Sequence, residues 1–344
     1  MNELFIQVFL AVLFIGSFVV ILIFLFKIFF APKKISTLRN LMKEENFKQA
    51  IIIAKEILAK DKNNNEVHYC LGEAYYQQKK FELALIEFKI AEKSGVYENI
   101  EEKKLRERLG ELCSKFDDLD ESLKEYVLLI SKYPNDHTYY FLAGDLFEKK
   151  GLESQAIKYY SDCIKINSNY VPALLKLGII MHKSKRHTEA SSYLQSVISK
   201  EPDNYEAYFY LGMIAKSESN YKNALKYFEK SSKDNELKVR SLMERGMVYI
   251  VQKNYEEAII ELDRALKNCT EENNIKMNIR YVLANCYELN RNVTEAISLW
   301  EQIYTINPKF KDVSEKLSNY QELRIDDRMK DFLTATDIDF VDMC

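Results

Sequence analysis

Four histidines, at 68, 137, 182 and 187, and six cysteines, at 70, 113, 163, 269, 286 and 344, have the widest chemical reach in this chain. Imidazoles serve as general bases and metal ligands, and thiolates as nucleophiles and soft ligands. Their spacing supports neither use. No two histidines stand four apart, there is no H-E-x-x-H, and no C-x-x-C pair offers a zinc ribbon or a redox motif. His182 and His187 lack a third ligand. Asp337, Asp339 and Asp342 echo a calcium loop without its glycine and closing glutamate. No glycine-rich phosphate loop is present. Glu73, Glu107, Glu111 and Asp145 form the one stretch able to supply a cluster of perturbed acids. The expectation is therefore no catalytic set, no cofactor and no metal, and a chain that is not an enzyme.

The remaining composition narrows the class. Lys and Arg number 49 and Asp and Glu 52, a net charge of -3, which leaves no electrostatic footprint for nucleic acid. Glycine and proline are scarce, at 9 and 5, which argues against flexible linkers and a turn-rich sandwich. Val8 to Phe26 runs 19 residues without a charge, enough to span a hydrocarbon core of about 30 Å. A basic leader and a small-residue cleavage site are both missing, so residues 1–30 read as a retained transmembrane anchor. Lys27, Lys33, Lys34, Arg39 and Lys43 all follow the span, whereas Glu3 precedes it. The positive-inside rule then places the rest of the chain in the cytoplasm, with the N-terminus outside.

A repeat governs the rest. Gly72, Gly110, Gly144, Gly178, Gly212 and Gly246 are spaced 38, 34, 34, 34 and 34 apart, and Ala284 follows at 38. Twelve residues after each comes a small residue: Ala84, Ser122, Ala156, Ala190, Ala224, Ala258 and Ala296. Four residues later stands a bulky one: Phe88, Tyr126, Tyr160, Leu194, Phe228, Leu262 and Trp300. The apolar positions recur at helical spacing, so each unit is a helix–turn–helix. A glycine within a helix costs about 1 kcal/mol relative to alanine, and its regular use implies close helix approach where a larger side chain does not fit. Such units bury little alone and gain a core by stacking.

This pattern resembles the tetratricopeptide repeat family. Leu71-Gly72-x-x-Tyr75…Phe81-x-x-Ala84-x-x-x-Phe88-x-x-Ala91 carries the family motif in full. Repeats then run 65–98, 103–136, 137–170, 171–204, 205–238, 239–272 and 277–310, with four-residue insertions at 99–102 and 273–276. Residues 31–64 form a degenerate first copy with Leu38 in place of glycine, about eight repeats in all over 31–310. Cys113 replaces the usual Tyr, Ser122 the usual Ala and Arg245 the usual Leu. The implied fold class is all-α: a transmembrane helix followed by an α-solenoid of helix–turn–helix repeats. Residues 311–330 read as a capping helix and 331–344 as a tail in which acidic and apolar residues alternate.

The resemblance also implies a protein- or peptide-binding groove on the concave face, built from positions 2, 5, 9, 12 and 13 of each repeat. By that register Glu73, Glu107, Glu111 and Asp145, with Glu66 and Glu148, make one end acidic. Phe141, Leu175, Ile179, Phe209, Met213, Met243, Met247 and Ile250 make the middle apolar. The alternative is that these residues pack between neighbouring first helices. No repeat supplies Lys with Asn at positions 5 and 9, so a chaperone-type carboxylate clamp is not expected. The expected function is a membrane-anchored scaffold or adaptor, single-pass in a bacterial inner membrane, binding proteins or peptides at its cytoplasmic face. The other reading is an accessory subunit or regulator of an enzyme or envelope-assembly complex. The layout is similar to bacterial adaptors such as lipopolysaccharide assembly protein B. That family adds a rubredoxin-type domain with paired C-x-x-C motifs, which this chain lacks. The apolar residues of the tail match the apolar groove, which makes self-docking or a partner motif the expectation for residues 331–344, the alternative being a frayed end with no role.

Overall fold

The computed structural model describes residues 35–320, apart from 94, 96 and 98. The expected anchor at 1–30, with its span over residues 8–26, and the tail at 331–344 lie outside the described residues. Among the described residues no helix is long and apolar enough to cross a membrane. The chain divides into two units, Met1–Ser168 and Asn169–Cys344.

In the first unit, residues 35–43 (α1) pair with α2 (Phe47–Leu58). Three further pairs follow: α3 (Asn65–Gln77) with α4 (Phe81–Lys93), α5 (Glu102–Lys115) with α6 (Leu119–Lys132), and α7 (His137–Lys149) with α8 (Glu153–Ile166). The second unit pairs α9 (Val171–Lys183) with α10 (His187–Lys200) and α11 (Tyr205–Ser217) with α12 (Tyr221–Ser231). It continues with α13 (Lys238–Val251) against α14 (Tyr255–Asn268) and α15 (Asn274–Leu289) against α16 (Val293–Ile306), then residues 313–320 (α17). Each unit is a stack of helical hairpins, and no strand occurs among the described residues. The insertion at 273–276 is absorbed locally: Asn273 caps α15, which starts a turn early, and its side chain accepts from the Ile275 and Lys276 N–H groups.

The glycine register has a direct cause. A Cβ on Gly72 falls 2.7 Å from the Phe88 ring, on Gly144 2.7 Å from Tyr160, and on Gly212 2.6 Å from Phe228. The bulky residue of each second helix thus occupies the volume that a side chain on the first helix would take. The contact is ring into backbone, closer than the general helix approach inferred from sequence. The degenerate first hairpin reverses the size order. Leu38 stands at the glycine position and Ala54 at the ring position, and both are buried in one cluster. In the third hairpin Ser122 replaces alanine, and its buried hydroxyl donates to the Gly110 carbonyl at 2.6 Å.

One residue per hairpin turn is left-handed: Glu45, Lys79, Asp117, Gly151, Lys185, Ser219, Lys253 and Arg291. The next N–H closes back over the helix end, as from Lys80 to the Tyr75 carbonyl at 2.9 Å and from Arg186 to Met181 at 2.8 Å. This is a Schellman-type stop, which turns the chain into the second helix. Asn46, Asn64, Asp136, Asn204 and Asn220 cap following helices through their side chains.

A second register fills the space between paired helices. The residue four before the small one meets the residue fifteen after it, as His68–Glu87, Arg106–Glu125, Tyr140–Tyr159 and Tyr208–Tyr227. Arg106 and Glu125 are both buried and 2.7 Å apart. Arg106 also reaches Glu102 at 2.8 Å and Tyr97 at 3.0 Å. Arg245, at its unusual position, pairs with buried Glu261 at 3.2 Å.

Candidate functional site

The first helices carry the candidate surface, and each unit presents a different one. In the first unit the four acids singled out from sequence are all partnered. Glu73 is buried, with Lys104 at 2.7 Å and Arg108 at 3.1 Å, both reaching over from α5. Glu111 accepts from the Tyr76 hydroxyl at 2.6 Å and meets Arg108 at 3.3 Å. Glu107 accepts from the Tyr139 hydroxyl, and Asp145 pairs with Lys149 at 3.0 Å. Arg39 pairs with Glu66 in the same way. Consecutive first helices are thus tied by polar bridges roughly one repeat apart in sequence, and the negative charge of this end is offset locally.

The Arg108 guanidinium lies 3.7 Å from the Tyr76 ring centroid. Burial acts to lower its pKa, but Glu73, Tyr76 and Glu111 together outweigh burial and the net shift is upward. Burial and the bond to Glu111 push the Tyr76 phenol up to about 12. Burial likewise pushes the Cys113, Cys163 and Cys286 thiols up to about 11 and Cys70 to about 12. These four are protonated at neutral pH and pack as small apolar groups.

The apolar set is divided by burial. Phe141, in the first unit, is half-buried against Tyr160, with ring centroids 5.6 Å apart. In the second unit Phe209 is 3% exposed and lies in the core under Phe228, and Ile179 is also buried. Leu175, Met213, Met243, Met247 and Ile250 are half-buried on their first helices. Sequence register therefore grouped core residues with surface ones. It also omitted two surface residues, both at position 13 of their repeats: Val251 is 56% exposed and Leu289 52%.

A cleft of about 560 Å³ opens where α11 and α13 begin, lined by Asp203, Glu206, Asp234, Glu236 and Arg240 among others. Arg240 is held over the Phe209 ring, 4.8 Å from its centroid. The second unit thus offers an apolar, methionine-rich stretch with a mainly acidic cleft at one end.

His182 and His187 lie at the facing ends of α9 and α10, with ring centroids 5.8 Å apart, and Tyr210 meets His182 edge-on. Burial, and then His187, hold the His182 imidazole below its ordinary pKa.

Paired antiparallel helices, with a glycine of the first helix against a bulky ring or leucine of the second in six of the repeats, define a helical-hairpin repeat protein. Models of the tetratricopeptide repeat match residues 38–95, 183–231 and 215–273, and 137–170. Together they cover more than half of the chain, which belongs to the tetratricopeptide repeat family. No curated protein matches it. Among solved structures it is similar to the C-terminal part of a TPR repeat-containing protein from Cytophaga hutchinsonii. That match has 20% identity and a TM-score of 0.50, and covers 82% of this chain and 98% of that one. It is also similar to PilF of Pseudomonas aeruginosa, with 15% identity, a TM-score of 0.52, and coverage of 64% of this chain and 98% of that one. At these identities the likeness is one of fold.

Proposed function

We propose that this chain is a non-enzymatic scaffold that holds a protein or peptide partner beside a membrane. Residues 8–26 anchor it, and the repeats lie on the cytoplasmic side of a bacterial inner membrane. The uncharged run of 19 residues, followed by Lys27, Lys33, Lys34, Arg39 and Lys43, supports the anchor and its orientation. The observation that carries the binding role is the surface of α13. There Val251 is exposed beside half-buried Met243, Met247 and Ile250, with an acidic cleft at the start of the same helix. Methionine adapts its shape to a partner, and contiguous apolar surface marks an interaction site. The partner that fits is an extended or helical segment with apolar residues next to Lys or Arg, the cations facing Asp203, Glu206, Asp234 and Glu236.

Two experiments test this reading separately. Alkaline extraction of membranes should leave the full chain in the pellet, and release into the supernatant would refute the anchor. Affinity purification of the full chain should recover a partner that is lost in the variant Met247→Glu/Val251→Glu. A set of co-purifying proteins unchanged by that variant would refute the binding surface.

A further inference from the structure

The outer faces of the second helices are unequal. In α4, Leu83, Ile86 and Ile90 are exposed at spacings of three and four, one stripe of a helix, with Ile86 54% open to solvent. In α2, Ile52 is exposed at the position equivalent to Ile86 one repeat earlier. At the positions equivalent to Leu83, Ile86 and Ile90, α6 carries Glu121, Lys124 and half-buried Leu128, and Val127 is its one exposed large aliphatic residue. At the same positions α8 carries Gln155, Lys158 and Asp162, and the apolar Ile166 is its last residue. Among the second helices of the first unit, exposed aliphatic surface is therefore concentrated in α2 and α4; in the second unit Ile260 of α14 is exposed at the position equivalent to Ile86.

We propose that this α2–α4 face rests on an anionic lipid surface, an inference that builds on the anchor proposed above. Chain length supports the choice of occupant. Eight residues, 27–34, separate Phe26 from Ile35. Even fully extended they reach about 28 Å, so the first hairpin is confined near the bilayer. Charge supports it too. The exposed ionisable residues of the two helices are Lys48, Lys55, Lys89 and Lys93 against Glu56 and Glu82. Lys89 also pairs with Asp118 at 3.4 Å, and Lys55 lies 5.9 Å from the Tyr75 ring centroid. Aliphatic residues interleaved with lysines are the composition of helices that lie in a lipid interface. The face opposite, buried against α3, supplies Ala84, Phe88 and Ala91 to the core, while the outer stripe keeps about half of its aliphatic surface open.

The test uses the full chain reconstituted in vesicles of phosphatidylethanolamine and phosphatidylglycerol. A photoreactive amino acid is placed at position 86 or, as control, at the equivalent exposed position 158 of α8. Lipid adducts should form at 86 several-fold more than at 158. They should fall when Ile52→Asp and Leu83→Asp are added, and fall again when phosphatidylglycerol is omitted. Equal lipid labelling at 86 and 158 in a chain that resists alkaline extraction would overturn the inference while leaving the anchor intact. Protein adducts in place of lipid adducts at 86 in native membranes would overturn it as well. Release of the chain on alkaline extraction would refute the anchor alone, and persistent lipid labelling at 86 would then still support the face.

Discussion

Gly212→Ala is the substitution whose sign tests the packing argument. On helix propensity alone it should stabilise α11 by about 1 kcal/mol, because glycine is the poorer helix former. The structure opposes this. The new Cβ falls 2.6 Å from Cε1, 2.7 Å from Cδ1 and 3.0 Å from Cζ of Phe228, a fully buried ring. Forcing a methyl group into a packed core costs about 1–3 kcal/mol, and three close ring atoms place this site in the upper half of that range. The net expectation is a loss of about 1–2 kcal/mol. Urea unfolding of the full chain in mild detergent, followed by circular dichroism, would report the midpoint. Amide exchange over α11 and α12 would localise the loss, which matters because repeat arrays need not unfold in one step. In a Phe228→Ala background the clash is absent, and Gly212→Ala should become favourable by about 1 kcal/mol. The first hairpin already uses a reversed arrangement, with Leu38 and Ala54 at these two positions. A Gly212→Ala protein more stable than the parent would refute the reasoning.

Three further outcomes follow from other contacts. Arg106→Met leaves the Glu125 carboxylate buried and unpaired and should cost about 3–5 kcal/mol, with Glu125→Leu added to it restoring most of the loss in the same unfolding assay. Lys185→Gly, at a left-handed turn with φ of 59°, should stabilise its hairpin by about 1 kcal/mol, whereas Lys183→Gly, at the last residue of α9, should not. His182 has its folded-state pKa lowered by burial and then by His187, so the folded protein favours the neutral ring. Its stabilising effect is present above the unfolded pKa of about 6.5 and is lost as pH falls through the lower folded value. His182→Phe should flatten the fall in thermal midpoint between neutral and mildly acidic pH.

The helical hairpins were legible because a missing side chain leaves a periodic mark. Six glycines at a near-constant interval report a bulky side chain that needs their space, a ring at Phe88, Tyr126, Tyr160 and Phe228 and a leucine at Leu194 and Leu262. The surface was harder to read. Positions on a first helix face either the next first helix or open solvent, and both favour apolar residues. Phe209 and Ile179 went to the first use, while Met243, Met247 and Val251 keep surface open. The acids could not be judged alone, since the partners of Glu73 stand 31 and 35 residues away, at Lys104 and Arg108. The α4 stripe was masked for another reason. Leu83, Ile86 and Ile90 alternate with the core residues Ala84, Phe88 and Ala91, so a helix apolar on two faces looked like one with a broad buried face.

The most direct test of the scaffold account is photo-crosslinking from position 247 in the full chain in its native membrane, with position 192 on the polar outer face of α10 as control. The account predicts that a defined protein is captured from 247, that it is not captured from 192, and that capture is lost with Val251→Glu. Capture that is the same from both positions, or that survives Val251→Glu undiminished, would contradict it.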